Sequence, residues 1–231
     1  MRLLSILFGQ SVRLVRFRNP FGGLHMTDVI PALSTRYQFV EAPTTLKDYT
    51  TTEKAVEFGH GKLPLKIKGK KQEYILIQKL QIFSDGIVTQ TSAGSEFADI
   101  MLDDVLNWFK KEYALEIVSE SLDQRAYVSH VEVELSINLD RLVAPADFIV
   151  GELGKLFKAY KQDLPPYEVT SFALNYDLLK HRLPQPAAFQ LERRGKQPFE
   201  SNFYFSAAPL RTPDHLKLLE KIEKWAASKH P

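Results

Sequence analysis

The sequence predicts an α+β fold, a single domain with a mostly antiparallel β-sheet and about three helices packed on it. Three observations support this class. Several short segments alternate apolar and polar residues, as half-buried strands do. One Ser-Asp-Gly turn joins two of these segments, which is typical of an antiparallel hairpin. Three longer segments have apolar residues at helical spacing.

The composition is that of a globular protein with its own hydrophobic core. The chain has 231 residues, of which 44% are hydrophobic and 25% are charged, and it has no cysteine. The absence of cysteine excludes disulfides, a thiol nucleophile and Cys-ligated metal centres. No apolar run reaches the roughly 18 residues of a membrane span, and the first residues lack a signal-peptide pattern. We therefore expect a cytoplasmic protein, and a bacterium or phage is the favoured source.

Residues 1–25 contain four arginines and no acidic residue, and a turn-rich PFGGLH stretch ends them. We interpret 1–25 as an N-terminal arm docked on a single domain formed by 26–231. The alternatives are a membrane-surface or targeting segment, or a true start at Met26. Within the arm, SVRLVRFR has the alternation of a strand, and LLSILF suits the start of an amphipathic helix. Residues 1–71 have a net charge of +7 and the remainder −5, which favours an anionic partner or a self-complementary assembly.

Strand patterns dominate the next part of the chain. The predicted strands are TRYQFV (35–40), KAVEFG (54–59), LPLKIK (63–68) and EYILIQKLQIF (73–83). Ser84-Asp85-Gly86 then leads into IVTQT, which predicts a hairpin over 73–91, since Asp-Gly tolerates the positive φ of tight turns.

A long helix is predicted from Ser95 to Tyr113, preceded by the Gly/Ser loop TSAGSEF. Such a loop before a helix can hold a phosphate, but this one has a single glycine and no Lys or Arg. Glu96 and Asp99 would repel an anion there. We interpret the loop as a helix cap, with Ser95 as the N-cap residue.

The second half of the chain continues with strands and two helices. RAYVSHVEVELSINL (125–139) alternates like a half-exposed strand, and YEVTSFALNY (167–176) is a further strand. FQLER (189–193) and NFYFSA (202–207) form a predicted hairpin, and the last helix starts at Thr212. A helix over 144–161 is predicted to face the core through Ile149, Leu153, Leu156, Phe157 and Tyr160.

Acidic and histidine side chains give weak candidate sites. Asp99 and Asp103 lie four residues apart on the long helix and could hold a divalent metal, although their place opposite the apolar face suits a solvated stripe. His130 beside Glu132 and Glu134 could perform acid–base chemistry, or be an ordinary cross-strand neighbour. His60 lies between two glycines, which permit close approach of a ligand, and the pattern predicts a turn there. No motif predicts a cofactor, and no metal site is predicted beyond the aspartate pair.

Two surface clusters suggest binding. The basic cluster is a candidate for nucleic acid or another polyanion, or alternatively protects an edge strand. It comprises Lys62, Lys66, Lys68, Lys70, Lys71, Arg13, Arg16 and Arg18. The aromatic hairpin is a candidate protein-binding site. It comprises Phe199, Phe203, Tyr204, Phe205, Arg193 and Arg194.

The sequence thus favours a non-catalytic interaction or assembly component with a protein partner or a second copy of itself. One alternative is a sequence-nonspecific binder of nucleic acid or an anionic surface, through residues 62–71 and the Arg-rich arm. The other is an enzyme whose acidic or histidine site is assembled from scattered residues. Peripheral membrane contact through the arm is the least favoured reading.

Overall fold

A computed structural model describes residues 1–18, 25–44, 55–65, 73–118, 124–143, 146–159, 167–175 and 187–229. The helices in these ranges are α1 (Met26–Tyr37), α2 (Ser95–Tyr113), α3 (Ala146–Ala159) and α4 (Thr212–Lys229). The strands are β1 (Arg2–Leu14), β2 (Arg16–Arg18), β3 (Val56–Leu65), β4 (Glu73–Phe83), β5 (Gly86–Thr91), β6 (Glu116–Val118), β7 (Gln124–Glu134), β8 (Ser171–Leu174), β9 (Phe189–Arg193) and β10 (Phe203–Ala208).

Eight of these strands form one antiparallel sheet in the order β3-β4-β5-β1-β7-β10-β9-β8, while β2 pairs with β6. The predicted α+β class with an antiparallel sheet is confirmed. The chain divides into two compact units. Unit 1 contains Met1–Ser5, His130–Ala208 and Asp214–Pro231, and unit 2 contains Ile6–Ser129 and Pro209–Pro213.

The segment interpreted as an N-terminal arm contributes β1, an inner strand of the sheet. In unit 2, β1 pairs with β5 from Gly9 opposite Thr91 to Leu14 opposite Gly86. Gly9 is required by a close approach, because a Cβ atom there would lie 2.1 Å from the backbone nitrogen of Ser95. The first residue of α2 therefore lies directly against the backbone of β1.

Three predicted strands differ from the structure in unit 2. The strand predicted at 35–40 is wrong, because residues 35–37 complete α1. This helix buries Val29, Ile30, Leu33 and Tyr37, a helical spacing that outweighs the strand preference of its β-branched residues. Within the described residues, the strands predicted at 54–59 and 63–68 form one strand, β3, which passes through His60 with φ of 55°. Residues 54 and 66–68 lie outside the described residues.

The hairpin of β4 and β5 is confirmed, but its turn differs from the predicted one. Phe83 pairs with Gly86, so the two loop residues are Ser84 and Asp85. None of Ser84, Asp85 and Gly86 has a positive φ. Gly86 is needed for space, since a Cβ atom there would lie 2.8 Å from the carbonyl oxygen of Arg13 on β1.

Helix α2 spans the predicted residues, but its N-terminus is capped differently. Gly94 is the N-cap residue, and no side chain caps the helix from that position. Ser95 instead exchanges hydrogen bonds with Thr212. The amide of Ser95 donates to Thr212 Oγ1 at 2.9 Å, and the amide of Thr212 donates to Ser95 Oγ at 2.8 Å. Two helix-start amides are thereby satisfied by side chains 117 residues apart.

Unit 2 has a continuous hydrophobic core built from α1, α2 and the inward faces of β3, β4 and β5. The large side chains that are fully buried in it are Tyr37, Phe58, Phe109, Leu33, Ile77, Leu80, Ile87, Met101 and Leu102. The predicted apolar face of α2 is confirmed by the burial of Met101, Val105 and Phe109.

Unit 1 has its own buried residues, contributed by β7, β9, β10 and α4. The predicted alternation is confirmed within β7, where Val131 and Val133 are buried. The strand predicted over 125–139 is too long, because β7 ends at Glu134, although Leu135 and Ile137 beyond it are also buried. Glu223 of α4 is also buried; it accepts a hydrogen bond from the amide of Ser136 at 2.6 Å and forms an ion pair with the α-amino group of Met1.

Two glycines test these packing assignments. We expect Gly9→Ala to lower the free energy of unfolding by about 1–3 kcal/mol or more, because the new methyl group meets the backbone of α2. Gly154→Ala in α3 is the matched control. Its Cβ atom would meet nothing within 4 Å, so we expect a gain of about 0.4–1 kcal/mol. Urea denaturation measures both, and an unchanged Gly9→Ala protein would contradict the close approach.

Candidate functional site

The predicted catalytic candidates lie along β7 in unit 1. His130, Glu132 and Glu134 alternate along the strand and therefore share one face. Glu132 Oε2 accepts a hydrogen bond from Ser5 Oγ at 2.9 Å, and Glu132 Oε1 lies 2.6 Å from Arg194 Nη2. Glu134 forms an ion pair with Arg2. Both carboxylates thus belong to ion pairs of an ordinary structural kind.

The His130 ring packs edge-on against Phe205, with 5.2 Å between the ring centroids. Burial lowers the pKa of His130. The neutral ring is therefore favoured near pH 7, where it contributes to packing beside the Glu132 ion pairs. A catalytic role for these residues stays a prediction.

A second histidine, which the sequence did not single out, forms a buried pair with a serine in unit 1. Ser206 Oγ lies 2.9 Å from His215 Nε2, and both residues are fully buried. Ser206 Oγ donates to the carbonyl oxygen of Gln190 at 2.8 Å. A hydroxyl has one proton, so Ser206 must accept from His215 Nε2–H, a tautomer assigned from this network.

This polarity is opposite to that of a serine nucleophile, whose proton is taken by the histidine. The Ser206–His215 pair therefore acts as a buried structural hydrogen bond. Burial, with a smaller contribution from the nearby His130, lowers the pKa of His215 to about 4. The available signal was the polar Ser206 within the otherwise apolar FYFSAA strand.

The metal candidates lie in a cluster of ion pairs in unit 2. Asp99 does not lie on a solvated stripe, and that interpretation was wrong. Its side chain is buried and accepts a hydrogen bond from Ser11 Oγ at 2.6 Å. Arg211 Nη2 lies 3.6 Å from one carboxylate oxygen of Asp99, and Arg125 Nη1 lies 3.9 Å from the other.

The neighbouring aspartates of α2 have similar partners. Asp103 Oδ1 lies 3.4 Å from both Arg13 Nη1 and Arg125 Nη2. Asp104 pairs with Arg36 at 2.9 Å and accepts a hydrogen bond from the Tyr37 hydroxyl at 2.7 Å. Guanidinium groups thus occupy the positions that a cation would need. Within the described ranges, no group of three metal-ligating side chains comes together.

The basic cluster is only partly visible in the structure. Arg13 is paired with Asp103 as described above, and Lys62 is exposed on β3. Arg16 and Arg18 lie in β2, where the backbone alone is described, and Lys66, Lys68, Lys70 and Lys71 lie outside the described residues. The polyanion hypothesis therefore stays a prediction.

The edge of the sheet at β3 is partly covered by backbone. Glu41 and Gly59 exchange two backbone hydrogen bonds, at 3.2 and 2.9 Å. Both Gly59 and Gly61 are crowded by this segment, since a Cβ atom at Gly61 would lie 2.5 Å from the ring of Phe39. His60 is exposed between them, with Nε2 3.8 Å from Glu41 Oε1.

The aromatic hairpin in unit 1 is less exposed than its sequence suggests. Tyr204 is fully buried, and its hydroxyl donates to the carbonyl oxygen of Ile137 at 3.2 Å. Arg193 is also buried. Its guanidinium group donates to Asn138 Oδ1 at 2.7 Å and Glu168 Oε2 at 3.1 Å, and stacks over Phe199. Tyr204 and Arg193 therefore make their hydrogen bonds within unit 1.

The other members of the hairpin lie nearer the surface. Phe203 and Phe205 are half-buried, while Phe199 and Arg194 are exposed. The proposed aromatic binding site thus reduces to scattered exposed side chains, and a partner role for the hairpin stays a prediction.

Among the helices of the described ranges, α3 of unit 1 has the largest group of exposed apolar side chains. Phe148 is 72% exposed, Ile149 is 53% exposed and Leu156 is 50% exposed. We call these three residues the α3 flank. The expectation that Ile149 and Leu156 face the core was wrong, while Leu153 and Phe157 are half-buried. Tyr160 lies outside the described residues.

Helix geometry explains this difference. At 100° per residue, the α3 flank occupies one side of the helix, next to the side that holds Leu153 and Phe157. Phe157 stacks on Tyr167 with 5.6 Å between ring centroids, so this side contacts another segment of unit 1. Glu152 lies within the flank and forms an ion pair with Lys155 at 2.6 Å.

Comparisons with known proteins do not add a function. The chain matches no protein-family model and none of the curated proteins. None of the helices in the described ranges is long and apolar enough to pass through a membrane.

The buried His215 gives a pH prediction. Its pKa is about 4 in the folded protein and ordinarily 6.5, so the unfolded chain binds more protons between these values. We expect the free energy of unfolding to fall by on the order of 3 kcal/mol as pH drops from 6.5 to 4. His215→Gln keeps a donor for Ser206 and should flatten this slope. The same slope in the wild-type and His215→Gln proteins would contradict the assignment.

The aspartate cluster gives a second prediction. Asp99→Asn should lower the free energy of unfolding by about 1–3 kcal/mol, because Arg125 and Arg211 lose a buried carboxylate. Asp103→Asn, at a half-exposed position with a similar pair of arginines, should cost less than about 1 kcal/mol. Chemical denaturation distinguishes the two variants. Equal losses would show that Asp99 is as solvated as Asp103.

Proposed function

We propose that this protein is a non-catalytic interaction or assembly component that binds a protein partner through the α3 flank. The observation that supports this proposal is the exposure of Phe148, Ile149 and Leu156 together on one side of a single helix. Exposed apolar side chains grouped on one side of a helix, with a charged pair beside them, are typical of protein-binding sites.

The free energy available from this surface is appreciable. Fully burying one Phe, Leu or Ile side chain contributes about 1.5–3 kcal/mol. Covering the exposed parts of the three flank residues therefore contributes on the order of 3 kcal/mol, which corresponds to roughly a hundredfold in affinity. Phe148, the most exposed aromatic side chain among the described residues, is the natural anchor.

The non-catalytic part of the proposal is supported by the state of the polar candidates. Glu132 and Glu134 are held in ion pairs, Ser206 donates to a backbone carbonyl, and Asp99 is surrounded by arginines. Each of these groups already has the partners that explain its position. A cytoplasmic location is part of the same proposal, since a chain without cysteine suits a reducing compartment.

Site-specific photo-crosslinking in cells tests this proposal. A benzophenone amino acid is placed at position 148 or 156, and the control is placed at 154. Gly154 lies on the opposite side of α3, and open space surrounds its Cβ position. We expect a discrete adduct from 148 and 156 and none from 154. The proposal is wrong if no position gives an adduct, or if 154 gives the same adducts as the flank.

A further inference from the structure

We infer that the partner of the α3 flank is a second copy of this chain, with the two α3 helices packed antiparallel. This inference rests on the proposed function and specifies its partner. It depends on three features of α3: the order of its charges, the place of its ion pair and the sizes of its exposed side chains.

The charges of α3 run in one order along the helix. Asp147 and Glu152 come first in the sequence, and Lys155 and Lys158 follow. This order agrees with the helix dipole, and it also makes the helix complementary to an antiparallel copy of itself. The acidic half of each helix then lies beside the basic half of the other, so both ends of the pair are matched.

The ion pair of the flank fits the same arrangement. Glu152 and Lys155 are exposed, and 2.6 Å separates Lys155 Nζ from Glu152 Oε1 within one helix. An antiparallel pair centred between residues 153 and 154 places Glu152 opposite Lys155 of the second copy, and Lys155 opposite its Glu152. Two intermolecular ion pairs then form from groups that are already adjacent.

The exposed apolar side chains are also compatible with this centre. Phe148 lies on the same side of the helix as the small Ala159, eleven residues later. In the antiparallel pair, Phe148 of one copy lies over Ala159 and beside Leu156 of the other. A large side chain thereby meets a small one at each end, which allows the helices to approach to the usual 8–10 Å or so.

The charge of α3 also argues against a lipid membrane as the partner of the α3 flank. Helices that lie on anionic membranes have an excess of Lys and Arg on the polar face. The two acids and two lysines of α3 cancel, so the helix gains nothing from a negative surface. In a twofold antiparallel pair, each copy covers the α3 flank of the other. No flank then remains free for a third copy, so assembly stops at the dimer.

Sedimentation equilibrium of the purified full-length chain tests this inference. We expect a mass of twice 26.4 kDa. Glu152→Lys and Lys155→Glu should each weaken the dimer by about tenfold or more, because each places like charges opposite one another. An equimolar mixture of the two variants should recover the dimer, since every intermolecular pair is again opposite in charge. An intrahelical pair alone could not produce this recovery.

Leu156→Asp should abolish the dimer, and Gly154→Ala, on the opposite side of α3, should leave it intact. Circular dichroism checks that each variant folds; all four positions are exposed. A wild-type chain that stays monomeric at roughly 100 µM overturns the inference. A dimer that Leu156→Asp leaves unchanged, or a variant mixture that stays monomeric, overturns it as well.

The crosslinking experiment separates the two proposals. An adduct from position 148 with twice the chain mass supports both. An adduct with a different protein, together with a monomeric purified chain, overturns the second copy as occupant and leaves the proposed function standing. A monomeric chain without any flank adduct overturns both.

Discussion

The absence of a side chain at Gly9 is the constraint on which the polar architecture of unit 2 depends. It allows the first residue of α2 to lie against β1, and the two elements then stay in contact over the following residues. Gly9 meets Ser95, Ser11 meets Asp99 and Arg13 meets Asp103, so each two-residue step in the strand matches a four-residue step in the helix. Two strand residues advance about 6.6 Å and four helix residues about 6.0 Å, which keeps the contacts in step.

The features that were predicted correctly depend on local patterns. The hairpin of β4 and β5, the alternation in β7 and the span of α2 each follow from residues within one segment. Helix α1 was missed although Val29, Leu33 and Tyr37 already had helical spacing, because Pro31 and several β-branched residues favour other structures. Its tertiary packing outweighed those propensities.

The errors concern which face of an element is covered, and by what. A helical wheel places Asp99 opposite the apolar residues of α2, but it cannot show that Ser11, 88 residues earlier, lies against it. The wheel of α3 likewise groups Ile149 and Leu156 with Leu153 and Phe157, without showing how wide a part of the apolar face the protein covers. The candidate interface is therefore visible only in the structure: Ile149 and Leu156 were assigned to the core from the sequence, and Phe148 was not singled out.

The two hydrogen bonds between Ser95 and Thr212 have a consequence for the synthesis of the protein. Unit 2 is continuous up to Ser129, yet it is completed by Pro209–Pro213, which the ribosome adds much later. At roughly 5–20 residues per second, the intervening stretch takes about 4 to 16 seconds to synthesise. During that interval the nascent chain contains nearly all of the residues of unit 2. It does not yet contain Thr212, whose hydroxyl accepts a hydrogen bond from the first amide of α2 in the complete protein. The first amide of α2 can therefore gain its Thr212 acceptor only when synthesis reaches the last part of the chain.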